Sequence, residues 1–208
     1  MNKQGGENSK DPEELSAEEL PKVDAFQDEF TRKFMDSTEE VKEGYYKFRS
    51  GTNGYTMLFP EDGKLSEKSY SIEEKRFENI DFGAGMGQNI SYFVIAKYYQ
   101  SGTSKENTLS LIRGMQDYEG DFKEVRLSNK TIYFASSMTE FEDEKDTFYN
   151  YFSFIKSNES EQGIVYNFSI GCSDVEKPCD IDLKKSEETA KMMMKSVKFT
   201  KGDEKEGE

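Results

Sequence analysis

The chain has 208 residues, with 42 Asp and Glu against 28 Lys and Arg, and a formal net charge of −14. That balance argues against electrostatic capture of nucleic acid or of an anionic membrane surface. Histidine is absent, which removes the Ser-His-Asp and Cys-His nucleophile systems and the commonest metal ligand.

Hydrophobic content is only 34%, yet the 16 Phe and 12 Tyr fall almost wholly between Val23 and Phe199. Aromatic side chains bury large areas each, so that segment supports one domain core while the polar ends do not. Residues 1–21 read as a disordered acidic tether, residues 22–200 as a single domain, and residues 201–208 as a disordered acidic tail. No run approaches the length of a transmembrane helix.

Taken in order, Val23, Phe26, Phe30 and Phe34 fall at helical spacing and predict one amphipathic helix over Val23–Met35. Next comes GYYKFRSGTNGYTMLFPEDG, in which two aromatic runs, Tyr45–Phe48 and Tyr55–Phe59, flank Gly51-Thr52-Asn53-Gly54. Asn-Gly supplies positive-φ positions, so this stretch predicts a tight hairpin, the entry of a single sheet. Tyr70–Phe82 reads as a partly exposed strand with a break at its charged middle. The glycines of Gly83-Ala84-Gly85-Met86-Gly87 match neither a dinucleotide loop nor a Walker loop, so they predict a flexible turn and no cofactor.

Ser91–Tyr99 carries apolar residues on both faces and predicts a central strand covered on both sides. Ser104–Tyr118 predicts a helix with Ser104 as N-cap and Leu109, Ile112 and Met115 on its buried stripe. Phe122–Leu127, Thr131–Ser137, Phe148–Lys156 and Gly163–Cys172 predict four strands in two hairpins, with a charged loop at residues 140–146. Ile164, Tyr166, Phe168 and Ile170 alternate, so one face of the last strand is core. Asp182–Val197 predicts a closing helix on a stripe of Leu183, Ala190, Met193, Met194 and Val197. The element order gives an α+β fold, a mostly antiparallel sheet flanked by helices.

Chemistry has few places to sit. Cys172 and Cys179 in GCSDVEKPC are not C-x-x-C and have no His or second cysteine pair to complete a zinc site. They read as a disulfide tying the last strand to the closing helix, in an oxidising compartment, with two separate thiols as the alternative. No acidic cluster has the ligand pattern of a calcium loop, so no metal site is assigned. Tyr45, Tyr98, Tyr99, Tyr149 and Tyr151 are candidates for a glycan- or peptide-binding face, or else half-buried sheet fillers. The sequons at Asn89 and Asn167 fall in predicted strands, which argues against glycosylation.

FTRKFMDSTEEVKEGYYKFRSGTNGYTMLFPEDG, the YEGDF after a helix and the MMMKSVKF near the end together resemble small extracytoplasmic lipoproteins of Bacillus, of the YcdA type. Phe59-Pro60 and the closing Lys195-Ser196-Val197-Lys198-Phe199 are more distantly similar to the PsbP-type α/β/α sandwich. The resemblance implies a lipid-modified cysteine upstream of Met1, a place on the outer face of the cell membrane, and binding of a protein or cell-envelope component rather than catalysis. It transfers no site residues. The competing functions are a carboxylate-dependent cell-wall hydrolase and a cytosolic GTPase-regulating adaptor.

Overall fold

The computed structural model describes residues 12–16, 18–87, 89–140, 147–174 and 176–200. A 3-10 turn at Pro12–Glu14 precedes two short helical turns, α1 (Asp24–Gln27) and α2 (Glu29–Arg32). The single helix expected over Val23–Met35 is broken at Asp28. Its backbone is extended (φ −81°, ψ 115°) and its carboxylate accepts from Thr31 N at 2.9 Å and from Thr31 Oγ1 at 2.6 Å. A side chain that caps a new helix competes with continuing the old one. The aromatic stripe survives the break, because Phe26 and Phe34 are both buried.

The hairpin follows as β1 (Tyr45–Arg49) and β2 (Tyr55–Pro60), paired antiparallel from Tyr45↔Pro60 to Arg49↔Thr56. Its connection is longer than a two-residue turn: Ser50 N donates to Tyr55 O, and within the loop only Asn53 takes a left-handed φ, 56°. It also does not open a single sheet. β1 and β2 form a separate small sheet with β11 (Lys198–Phe199), in the order β1-β2-β11. The aromatic residues of its inner face give the reason. Phe59 packs on Phe82 with ring centroids 4.7 Å apart and Tyr55 on Tyr98 at 5.3 Å, so the hairpin lies face-down across another sheet.

That larger sheet holds β3 (Lys64–Leu65), β4 (Ser71–Glu73), β5 (Phe77–Gly85), β6 (Ile90–Tyr99), β7 (Lys123–Arg126), β8 (Lys130–Glu140), β9 (Thr147–Ser157) and β10 (Gly163–Cys172). Its order is β3-β5-β6-β10-β9-β8-β7, with β4 alongside β5, and every pair is antiparallel. Gly83, Ala84 and Gly85, expected in a turn, continue β5. The break expected within Tyr70–Phe82 is the β4–β5 turn, where Glu74 has a φ of 50°.

Strand alternation divides the core in two. Tyr92, Val94, Ala96, Tyr98, Ile164, Tyr166, Phe168 and Ile170 face the small sheet and α4 (Leu183–Ser196). Val165, Phe152, Phe154 and Ala135 face the opposite way, under α3 (Lys105–Gln116). Ser104 and Asp182 cap α3 and α4, accepting from Asn107 N at 3.2 Å and Lys185 N at 3.0 Å. The fold is α+β, a mostly antiparallel sheet with helices on both faces.

Three expectations about coverage change. α3 is too short to span its side of the sheet, so Phe93 of β6 stays exposed. Met115 and Leu183, read as stripe residues, face solvent. Leu20 is buried and Leu15 packs on the same core, inside the stretch read as tether. Residues 1–11, most of the loop at 140–146 and the tail at 201–208 lie outside the described residues.

Candidate binding surface

The register brings several strand ends together at one end of the large sheet. Cys172 stands opposite Ile90, Ile170 opposite both Tyr92 and Tyr149, and Tyr149 opposite Met138. Solvent-facing apolar side chains collect there: Met138 at 55% exposure and Phe93 at 42%. Phe148 and Tyr149 are half-buried, and the Phe148 ring meets Phe93 edge-on at 6.4 Å. The Tyr151 hydroxyl donates to Leu183 O at 3.1 Å, which brings the start of α4, with the exposed Leu183, to the same end. Strand parity places Phe93 and Phe148 on the α3 face of the sheet and Met138, Tyr149 and Leu183 on the α4 face, so the apolar side chains at this end form two small groups on opposite faces.

A covalent tie shapes this end. Cys172 and Cys179 form a disulfide with Cα atoms 6.0 Å apart, fixing the β10–α4 loop. Asn89, at a left-handed φ of 57°, reinforces it: its Nδ2 donates to Asp174 O at 2.9 Å and lies 3.3 Å from both Lys177 O and Pro178 O. Ser173 N in turn donates to Asn89 O at 3.0 Å. The Asn89 amide is thus committed to the loop, although Asn89 lies in the turn before β6 and not in the strand read for its sequon. A cleft of about 230 Å³ lies alongside, lined by Met86, Ile90, Ile170, Ile181, Lys185 and Ser186 among others.

The five tyrosines proposed as a surface do not form one. Tyr98 and Tyr151 are buried, and Tyr45, Tyr99 and Tyr149 are half-buried. Tyr99 packs on the α3 side of the sheet, whereas the other four belong to the core on the α4 side. The cause is strand parity, since Tyr98 and Tyr99 are neighbours and must point to opposite faces. Tyr149 and the hydroxyl end of Tyr151 reach the apolar end just described. Asn89, Met138 and the Phe93–Phe148 pair of the opposite face are not among the residues expected from the sequence. A Gly-Gln-Asn turn before an apolar strand was the available signal for Asn89. Met138 and Phe148 carry none without the register.

The groups with perturbed titration have structural work instead. Glu78 is fully buried, and burial pushes its carboxyl above the usual range even though Oε1 accepts from Gly51 N at 2.7 Å and Tyr70 Oη at 3.1 Å. It anchors the β1–β2 loop to β5. Burial also pushes the hydroxyls of Tyr55, Tyr92 and Tyr166 well above the ordinary phenol range. Lys130, buried and lowered to about 8 by desolvation, donates from Nζ to Lys195 O at 2.6 Å and to Val197 O, closing the end of α4. Among the described residues no group of three or more Cys, Asp or Glu is arranged to hold a metal ion.

The comparisons with known proteins agree with this picture at the level of family. Residues 21–198 match a protein family described as "Putative lipoprotein YvcA". Over 196 residues the chain is 33% identical to the Bacillus subtilis (strain 168) protein of that description, covering 90% of this chain and 81% of that one. Among solved structures, a protein of Bacteroides thetaiotaomicron VPI-5482 aligns over 78% of this chain with a TM-score of 0.46 and 14% identity. The alignment spans 51% of that protein's length. LpqN of Mycobacterium tuberculosis, described as involved in cell envelope biogenesis, aligns over 76% of this chain and 91% of its own, with a TM-score of 0.41 and 12% identity. The resemblance to Bacillus lipoproteins therefore holds, with YvcA as the family matched where the sequence reading named the YcdA type. The chain belongs to the YvcA lipoprotein family.

Proposed function

We propose that this chain is a non-catalytic domain, lipid-anchored on the outer face of the cell membrane, that binds a protein or cell-envelope component at the disulfide-tied end of its sheet. The observation that carries the reading is exposed Met138 and Leu183 beside half-buried Tyr149 on the α4 face of that end. The family description supports the anchor, and the Cys172–Cys179 bridge supports an oxidising compartment. Helices on both faces of the sheet are the layering that the PsbP-type likeness implies, and we keep that likeness within the proposal. A carboxylate-dependent hydrolase is the weaker alternative, because the carboxyl raised by burial, Glu78, is sealed in the core. A GTPase-regulating adaptor is weaker too, since it requires a reducing compartment in which this bridge would not persist.

The test is site-specific photo-crosslinking in the native cell. A photoreactive residue at Met138 should give a discrete adduct in the membrane fraction, and one at Phe93, on the opposite face of the sheet, or at Leu111, exposed on α3, should not. Adducts of equal yield at all three positions, or at none, would refute the assignment of the docking end. Mass spectrometry of the mature native N-terminus checks the anchor, and an unmodified terminus would refute it.

A further inference from the structure

Among the described residues, one strand edge at this end is open. β8 spans Lys130–Glu140 and pairs with β9 along its whole length, from Lys130↔Ser157 to Glu140↔Thr147. On its other side β7 reaches only from Thr131 to Phe134. Ala135–Glu140 therefore has no neighbouring strand among the described residues on that side. Leu127 N donates to Lys130 O at 2.9 Å, which fixes the parity of the ladder. Backbone groups of even-numbered residues point toward β7, and beyond it those of Ser136, Met138 and Glu140 point outward.

Natural sheets guard such edges with proline, lysine, a bulge or a very short strand. β7, the edge that does have an outer side, follows the rule with the four residues Lys-Glu-Val-Arg. Ala135-Ser-Ser-Met-Thr-Glu140 does not: its register with β9 runs without a bulge, and it holds no proline or lysine. Its one charge is Glu140. On the α4 side of this edge Met138 stands opposite Tyr149, with Tyr151 next along β9, so an apolar platform borders the free backbone groups.

We propose that this edge takes up an extended segment of a partner protein as an added strand, with an apolar side chain on Met138 and Tyr149 and basic residues at the Glu140 end. Charge decides the chemistry of the occupant. The outer end carries Glu140 and is followed in sequence by Glu142, Asp143, Glu144 and Asp146 against Lys145. The inner end meets Lys123, opposite Phe134. A chain of net charge −14 is poorly suited to place this end against a second copy of itself. Main-chain hydrogen bonds supply affinity in strand addition, and the flanking side chains supply the selection. The proposal rests on the docking end assigned above and deepens it.

The probes are capped peptides of about eight residues, alternating Val and Thr and ending in a Lys pair, in a Glu pair, or in the Lys pair with alternate backbone nitrogens methylated. Amide hydrogen exchange of the whole chain is followed by NMR. The Lys peptide should slow exchange at Ser136, Met138 and Glu140 by about tenfold or more, and the Glu peptide should act at least about tenfold more weakly. The methylated peptide, which lacks the donors, should have no effect, and Glu140→Lys should remove the preference for the Lys peptide. Unchanged exchange, equal effects of the Lys and Glu peptides, or protection that arises on concentrating the protein alone would each overturn the proposal. Crosslinks at Met138 without strand protection would refute strand addition and leave the docking end intact. Protection without crosslinks would refute the docking assignment in the cell instead.

Discussion

Gln162 sits where the two sheets and the chain terminus meet, and replacing it tests how they are joined. Its Nε2 lies 2.9 Å from Tyr98 Oη, 3.0 Å from Thr200 O and 3.2 Å from Gly54 O, and its Oε1 accepts from Ser160 Oγ at 2.7 Å. In Gln162→Ala these acceptors do not suffer alike. Gly54 O keeps a bond from Thr200 N at 2.9 Å, and the half-buried Thr200 O is within reach of water. Tyr98 Oη, on a side chain that is 1% exposed, loses its partner inside the core. One orphaned buried polar group costs about 1–3 kcal/mol and a lost net hydrogen bond about 1, so the variant should be less stable by about 2–4 kcal/mol. For a domain of this size that lowers Tm by about 4–16 °C. Urea unfolding followed by circular dichroism measures the first figure and a thermal scan the second. Tyr98→Phe removes the group that would be orphaned, so the double variant should be less than additive by about 1 kcal/mol. A Gln162→Ala protein within about 0.5 kcal/mol of the parent, or strict additivity with Tyr98→Phe, would refute this account.

Three other outcomes follow from the same structure. Replacing Cys172 and Cys179 together by Ser should cost about 2.5 kcal/mol in the chain-entropy model, with exchange at Ser173 and Asn89 rising more than at β9; urea unfolding and amide exchange read the two effects. Glu78→Gln keeps an acceptor for Gly51 N and removes a buried charge. Because the folded carboxyl titrates above the unfolded one, the parent loses stability as pH rises through the folded value. The variant should therefore gain on the parent toward neutral pH and lose that advantage at acid pH, in paired denaturation curves. Lys130, lowered to about 8 from 10.5, leaves the unfolded chain binding more protons between those values, so its contribution to stability increases with pH in that window. Tyr55, Tyr92 and Tyr166 act in the opposite sense above pH 10, where only the unfolded phenols ionise readily. Stability in alkali should pass through a maximum and then fall, while Lys130→Met should show the fall without the preceding increase.

Local pattern carried most of the fold. The capping residue Ser104 and the alternation of Ile164, Tyr166, Phe168 and Ile170 act within a few residues, and both appear in the structure as read, whereas the Asn-Gly hairpin appears with a longer connection than the tight turn expected. What could not be read were effects of competition and of assembly. Asp28 offers Thr31 N a better partner than the next helical carbonyl, which splits a helix whose aromatic spacing is otherwise regular. Lys198 and Phe199 look like the end of a helix and instead pair with Thr56 and Tyr55, a contact invisible without the tertiary fold. The tyrosine surface failed for a related reason: composition shows that aromatics are abundant, but only parity and layer decide which side each ring faces. Met138 is notable because β7 covers β8 no further than Phe134, which stands opposite Lys123.

The short pairing of β11 with β2 joins residues far apart in the chain, since Thr200 N donates to Gly54 O at 2.9 Å. The β1–β2 hairpin thus waits for the last described residues before its sheet is complete. Contacts so distant along the chain form late and slow the final step of folding. During synthesis or transport the aromatic inner face of that hairpin has no lasting third strand, and the molecule closes only when its C-terminal residues arrive. A chain stopped short of Lys198 would hold nearly every element of the fold and still lack its clasp.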